Sequence, residues 1–140
     1  MTPSGILETV LSAADLVAAE DFYTRVLGFQ LHSKVPGRHI FFRCGEQMLL
    51  IFNPAETMKG PAPGALPVPP HGAPAAAGAG HICFLASADE ITRWRAHLQQ
   101  AGVAIEADFV WPASGGRSIY FRDPAGNSLE FAEPRIWGLT

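Results

Sequence analysis

The sequence predicts an α+β fold of two βαβββ modules, 6–53 and 81–134, forming a curved mixed sheet around a cavity, with 1–140 as one domain. Three observations carry this expectation. Strand-like and helix-like hydrophobic patterns run in the same order twice. The two runs align by their ends: 48–54 lies over 128–134, and Glu8 lies over His81. Between them, residues 54–80 hold seven prolines, five glycines and eight alanines, so they predict a long loop without regular structure, either a lid or a linker.

In the first module, 7–13 reads as a strand. Asp15 then caps a helix whose apolar stripe is Leu16, Ala19, Phe22, Tyr23, Val26 and Leu27. Gly28 ends that helix. Strands follow at 29–35, 39–44 and 47–53, separated by Pro36-Gly37 and by Gly45. The second module opens with a strand at 81–86. Ser87 and Glu90 then have the spacing of a capping box, and Ile91, Trp94, Leu98 and Ala101 make the helical stripe that Gly102 stops. Strands are expected at 103–108, 117–122 and 128–133, the last two joined by the turn Asp123-Pro124-Ala125-Gly126-Asn127.

Composition narrows the function. Hydrophobic residues make up 48% and charged residues 16% of 140, which excludes a disordered chain. A net charge of -3 supplies no footprint for nucleic acid. No window is long and apolar enough for a membrane span, and the first residues lack the basic start of a signal peptide. Two cysteines, Cys44 and Cys83, without close spacing fit a reducing, cytoplasmic setting.

Strand alternation sorts the chemistry-bearing residues. With the apolar side turned to each helix, Glu8, His81 and Glu130 share the other side at equivalent positions. Two carboxylates and an imidazole converging there would be costly to bury alone, and a divalent ion removes that cost. Leu50 holds the fourth equivalent position and cannot ligate. Tyr120 falls on the same side of its strand, where a phenol can donate to a bound oxygen. Arg117, after Gly115-Gly116, is a candidate for an anionic substrate, as are Arg38 and His39. Trp111 is a candidate cavity wall, His71 in the long loop a candidate for closing over the cavity, and Cys83 a neighbour of the ion.

These features resemble the vicinal oxygen chelate superfamily of glyoxalases, bleomycin-resistance proteins and dioxygenases. The resemblance spans nearly the whole chain. It rests on Asp15-Leu16 after the first ligand position, Phe22-Tyr23 through Val26-Leu27-Gly28-Phe29, the strand start at His81, and the run from Tyr120 to Glu130 containing Asp123-Pro124-Ala125-Gly126-Asn127.

The resemblance implies a metal cavity, with Glu8, His81 and Glu130 as metal ligands and Zn, Ni, Mn or Fe as the ion. Glu8 stands where relatives more often have His or Gln, and Leu50 where four-ligand glyoxalase I enzymes commonly have a carboxylate. That departure weakens the methylglyoxal–glutathione reading. The resemblance implies a Tyr120 contact with substrate and catalytic roles for Glu8 or Glu130 as base. It also implies a homodimer acting on a small oxygen-rich molecule. A glyoxalase-like, metal-dependent lyase or isomerase ranks first. A ring-cleaving iron dioxygenase, a thiol transferase acting on an antibiotic, and a drug-sequestering binding protein are the alternatives.

Overall fold

The structure is a computed structural model, and it describes residues 2–61, 63–66 and 78–140. His71 lies outside the described residues. The chain divides into two compact units, Met1–Gly80 and His81–Thr140, each with its own four-stranded sheet.

The first unit runs β1 (Glu8–Ser12), α1 (Leu16–Asp21), β2 (Gln30–Val35), β3 (His39–Cys44), β4 (Gln47–Phe52) and α2 (Pro54–Thr57). Its sheet order is β1-β4-β3-β2, with β1 parallel to β4 and the remaining pairs antiparallel. Asp15 caps α1 as expected, its Oδ1 accepting from the backbone N–H groups of Val17 and Ala18.

The expected uninterrupted helix differs in its second half. Phe22–Val26 form a wider π-helical turn, in which the Leu27 N–H donates to the Phe22 carbonyl. The wider turn leaves Phe22, Tyr23 and Val26 all buried. The Tyr23 ring lies 5.5 Å from Phe42 and 5.9 Å from Phe29, so Phe42 marks the helix side of the sheet. Its partner Leu49, and Thr9 beyond, share that side. Leu50 pairs with Val10 and Phe41 and therefore faces away from the helix, on the same side as Glu8.

The expectation that 54–80 lacks regular structure fails at its start. Asn53 Oδ1 accepts from the Ala55 N–H and begins the one-turn α2. Pro54 sits at the first helical position, where its missing N–H costs nothing because that donor has no partner within a helix.

The second unit runs β5 (His81–Leu85), α3 (Ala88–Gln100), β6 (Ala107–Val110), β7 (Arg117–Arg122), β8 (Ser128–Ala132) and a 3₁₀ turn at Pro134–Trp137. Its order, β5-β8-β7-β6 with β5 parallel to β8, repeats that of the first. The capping box forms: the Ser87 N–H and hydroxyl both donate to Glu90 Oε2, and the Glu90 N–H donates back to Ser87 Oγ. Ile91 and Leu98 of α3 are fully buried, and Trp94 stacks on Phe131 at 4.5 Å, which marks the helix side here.

β6 starts later than the expected 103–108. The Val103 N–H closes the end of α3 on the Leu98 carbonyl, and the pairing with β7 begins at Ala107 opposite Tyr120. The 3₁₀ turn was not expected from the sequence. It packs on Gly116, where an added Cβ would stand 2.6 Å from Ile136 Cγ2.

Candidate functional site

The site is built on the side of the second sheet that faces away from α3. Register sets its members. Cys83, Glu130 and Tyr120 lie in one row across β5, β8 and β7, and His81, Ser128 and Arg122 in the next. His81 Nδ1 lies 3.1 Å from the Ser128 carbonyl oxygen, and its Nε2 lies 3.4 Å from Glu130 Oε2. A carbonyl can only accept, so the Nδ1–H donates to it. In a neutral ring, Nε2 then turns a lone pair toward a carboxylate oxygen. That arrangement asks for something positive between the two atoms, either a proton on Nε2 or a cation.

Glu130 is 4% exposed, and its Oε1 is buried with no hydrogen-bond partner among the described residues. An orphaned carboxylate oxygen at the centre of a sheet face is costly unless a ligand completes it. Its neighbours feel the charge. Burial, followed by the hydrogen bond and charge of Glu130, pushes the Tyr120 hydroxyl up to about 12, so it remains a donor at neutral pH. Burial and the same carboxylate push the Cys83 thiol up to about 12, so it stays protonated.

His81 and Glu130 fit a divalent ion as two of its ligands. One is an imidazole whose other nitrogen is fixed by a backbone carbonyl, and the other is a buried carboxylate with a vacant oxygen. Two donors make only part of a site. Among the described residues, no group of three or more His, Cys, Asp or Glu side chains is arranged to hold a metal ion. Glu8, expected as the third ligand, is exposed on the first sheet, on the side that also carries Leu50.

The remaining candidates fall in different places. Arg117, expected to meet an anionic substrate, is turned toward α3. Its Nε and Nη2 donate to Asp108 and its Nη1 donates to Thr92 Oγ1, so its donors are already engaged. Alternation explains the difference, because residue 117 has the opposite parity to Tyr120. Arg38 donates to the carbonyls of Glu56 and Gly60 and holds the chain after α2. His39 stacks on Phe41 at 4.3 Å, with burial lowering its pKa. Trp111 does lie beside the site face, its indole Nε1–H donating to Ser118 Oγ at 2.9 Å. Sequence reasoning missed Phe109. The signal for Phe109 was its two-residue spacing from Trp111.

The glyoxalase/bleomycin resistance protein/dioxygenase superfamily profile matches residues 5–131. The chain belongs to that superfamily. Among solved structures, a lactoylglutathione lyase from Agrobacterium tumefaciens is 44% identical, with 99% of this chain and 100% of that one covered and a TM-score of 0.90. A glyoxalase/bleomycin resistance protein/dioxygenase from Nocardioides is 24% identical over 95% of this chain and 85% of that one, with a TM-score of 0.72. An antibiotic-binding protein from Streptomyces sp. CB03234 is 24% identical over 96% of this chain and 98% of that one, with a TM-score of 0.68. The last two show likeness of fold alone. No curated protein matches the sequence. Both βαβββ units thus have the fold of glyoxalase-type proteins, and among the described residues no helix is long and apolar enough to cross a membrane.

Proposed function

We propose that this superfamily member is a metal-dependent lyase or isomerase acting on a small oxygen-rich substrate. One observation carries the reading: His81 Nε2 faces a buried, incompletely bonded Glu130 carboxylate across 3.4 Å. The 44% identity to a protein called a lactoylglutathione lyase supports the reaction class. Glu8 is the proposed third ligand, so two carboxylates and a neutral imidazole would offset a divalent charge of Zn, Ni, Mn or Fe. Held by His81 and Glu130, such an ion would supply Lewis-acid polarisation of substrate oxygens.

The chain's own residues do the rest. Ser128 fixes the imidazole orientation through its carbonyl. Tyr120, in the same row as Glu130, is the proposed hydroxyl donor to a substrate oxygen when its hydrogen bond with Glu130 is exchanged for one to the substrate. A carboxylate, Glu130 or Glu8, accepts the proton that leaves the carbon beside the carbonyl and returns it to the neighbouring carbon. We further propose a cytoplasmic homodimer that engages neither nucleic acid nor membrane.

The test is metal content of protein prepared without chelators, followed by turnover of 2-oxoaldehyde adducts, the methylglyoxal–glutathione adduct among them. Stoichiometric metal and metal-dependent turnover are expected. A metal-free protein whose ligand binding ignores added Zn²⁺, Ni²⁺, Mn²⁺ and Fe²⁺ would overturn the enzyme reading in favour of a sequestering protein.

A further inference from the structure

We infer that the substrate carries a flat, uncharged ring beside its oxygen-bearing head, held against Phe109 and Trp111. The inference rests on the proposed role of His81 and Glu130 and adds a substrate class to it. A ligand held by that pair and reaching across the sheet toward β6 meets Tyr120 first, by register, and then Phe109, which lies diagonally one row on with its ring 6.0 Å from that of Tyr120. Phe109 and Trp111 are each 38% exposed and stand edge-to-face, so together they present a joined aromatic surface.

Their orientations are set by fixed contacts. Trp111 spends its one donor on Ser118, a fully buried hydroxyl, so what it offers a ligand is ring surface alone. Phe109 stands edge-to-face with Trp111 at 4.9 Å and parallel to Tyr120, within 5°, at 6.0 Å. Tyr120 in turn is 20° from parallel with His81 at 6.3 Å. An aromatic row therefore leads from the proposed chemical centre to the sheet edge.

Among the described residues of the second sheet, the row beyond Tyr120 carries no charged side chain. Asp108 and Arg117 of β6 and β7 bond each other on the α3 side. Leu85, Ala132, Ser118 and Phe109 form the next row of the site face, none of them charged. Arg122 sits in the His81 row and is held by Glu106. A tail carrying free carboxylates, such as a tripeptide thiol, finds no uncommitted cation along this row, whereas an aryl group finds three rings.

The test uses the full-length protein and three probes with the same 2-oxo acid head: phenylglyoxylate, cyclohexylglyoxylate and pyruvate. Binding is followed by the indole N–H resonance of Trp111 and by calorimetry. Phenylglyoxylate should bind about tenfold tighter than pyruvate and clearly tighter than its saturated counterpart. The phenyl advantage should fall to about twofold in Trp111→Ala and in Phe109→Ala, with pyruvate affinity unchanged. Trp111→Leu keeps apolar bulk, guards against misfolding and should show the same loss of preference for flatness. Equal affinities in the wild type, no binding of the phenyl probe, or an advantage that survives all three substitutions would overturn the inference. Glu130→Gln separates the two readings. If head-group affinity ignores it while the phenyl advantage still depends on Trp111, the proposed chemistry at Glu130 fails and the ring subsite stands.

Discussion

His81 is held at Nδ1 by the Ser128 carbonyl at 3.1 Å and faces Glu130 Oε2 with Nε2 at 3.4 Å. Ser128 and Glu130 lie two residues apart on β8, so one strand both orients the imidazole and supplies the facing charge. His81→Ala and Glu130→Ala are each expected to lose bound metal while keeping the fold, because one remaining donor of this pair cannot compete with water. Elemental analysis beside circular dichroism checks this. A variant that keeps stoichiometric metal would remove that residue from the ligand set.

Asp108 supplies a pH-dependent contribution to stability. The Arg117 hydrogen bond, outweighing burial and helped by the charges of Arg117 and Arg95, holds its carboxyl below the usual carboxylate range. A depressed folded pKa means the stabilisation is present above the unfolded value and is lost as pH falls through the folded one. Asp108→Asn should therefore cost about 1–2 kcal/mol at neutral pH, and the deficit should shrink below roughly pH 4. Urea titrations of both proteins at neutral and acid pH measure it. A deficit independent of pH would mean that charge is not the cause.

Gly116 is a packing requirement with no unusual backbone angle behind it. A methyl group there meets Ile136 and Arg135 side-chain atoms and the Ile136 backbone nitrogen at 3.2 Å. Gly116→Ala should destabilise by about 1–3 kcal/mol and release the 3₁₀ turn, read as a lower melting temperature and faster cleavage after Arg135 by trypsin. Shortening Ile136 to Ala in the same chain should restore part of the loss.

Ser87→Ala removes the hydroxyl half of the α3 capping box, leaves the backbone N–H of residue 87 donating to Glu90, and should cost about 1 kcal/mol. Ser87→Asp should recover most of it, since an aspartate caps as well as a serine. Thermal unfolding of the three proteins decides. An Ala variant as stable as the wild type would show that packing of Ile91 and Leu98 holds α3 unaided.

Local signals were the most legible part of the sequence. The Asp15 and Ser87 caps and the turn at Asp123 each lie within a few residues of the groups they bond, so spacing alone reveals them. Alternation likewise put Leu50 and Glu8 on one side of the first sheet. Where the reading slipped, the deciding contact is distant in the chain. β6 takes its limits from pairing with β7, and Arg117 takes its partners from β6 and α3. The α2 turn was obscured by the proline-rich run around it, although Asn53 before Pro54 is itself a start signal. The orphaned oxygen of Glu130 has no trace in sequence, because it depends on which neighbours fail to reach it.

The parallel pairing of β5 with β8 has a kinetic consequence. His81 and Ser128 are 47 positions apart, and α3, β6 and β7 all lie between them. The β6–β7 and β7–β8 hairpins close short segments, whereas β5 can dock only after the whole intervening chain has been gathered, at the largest loop-closure cost in its module. Loop closure therefore predicts that the imidazole and its carboxylate come together late in that module's assembly. A metal that binds them acts on a contact the folding transition state has yet to make, so it should retard unfolding and leave the refolding rate almost unchanged.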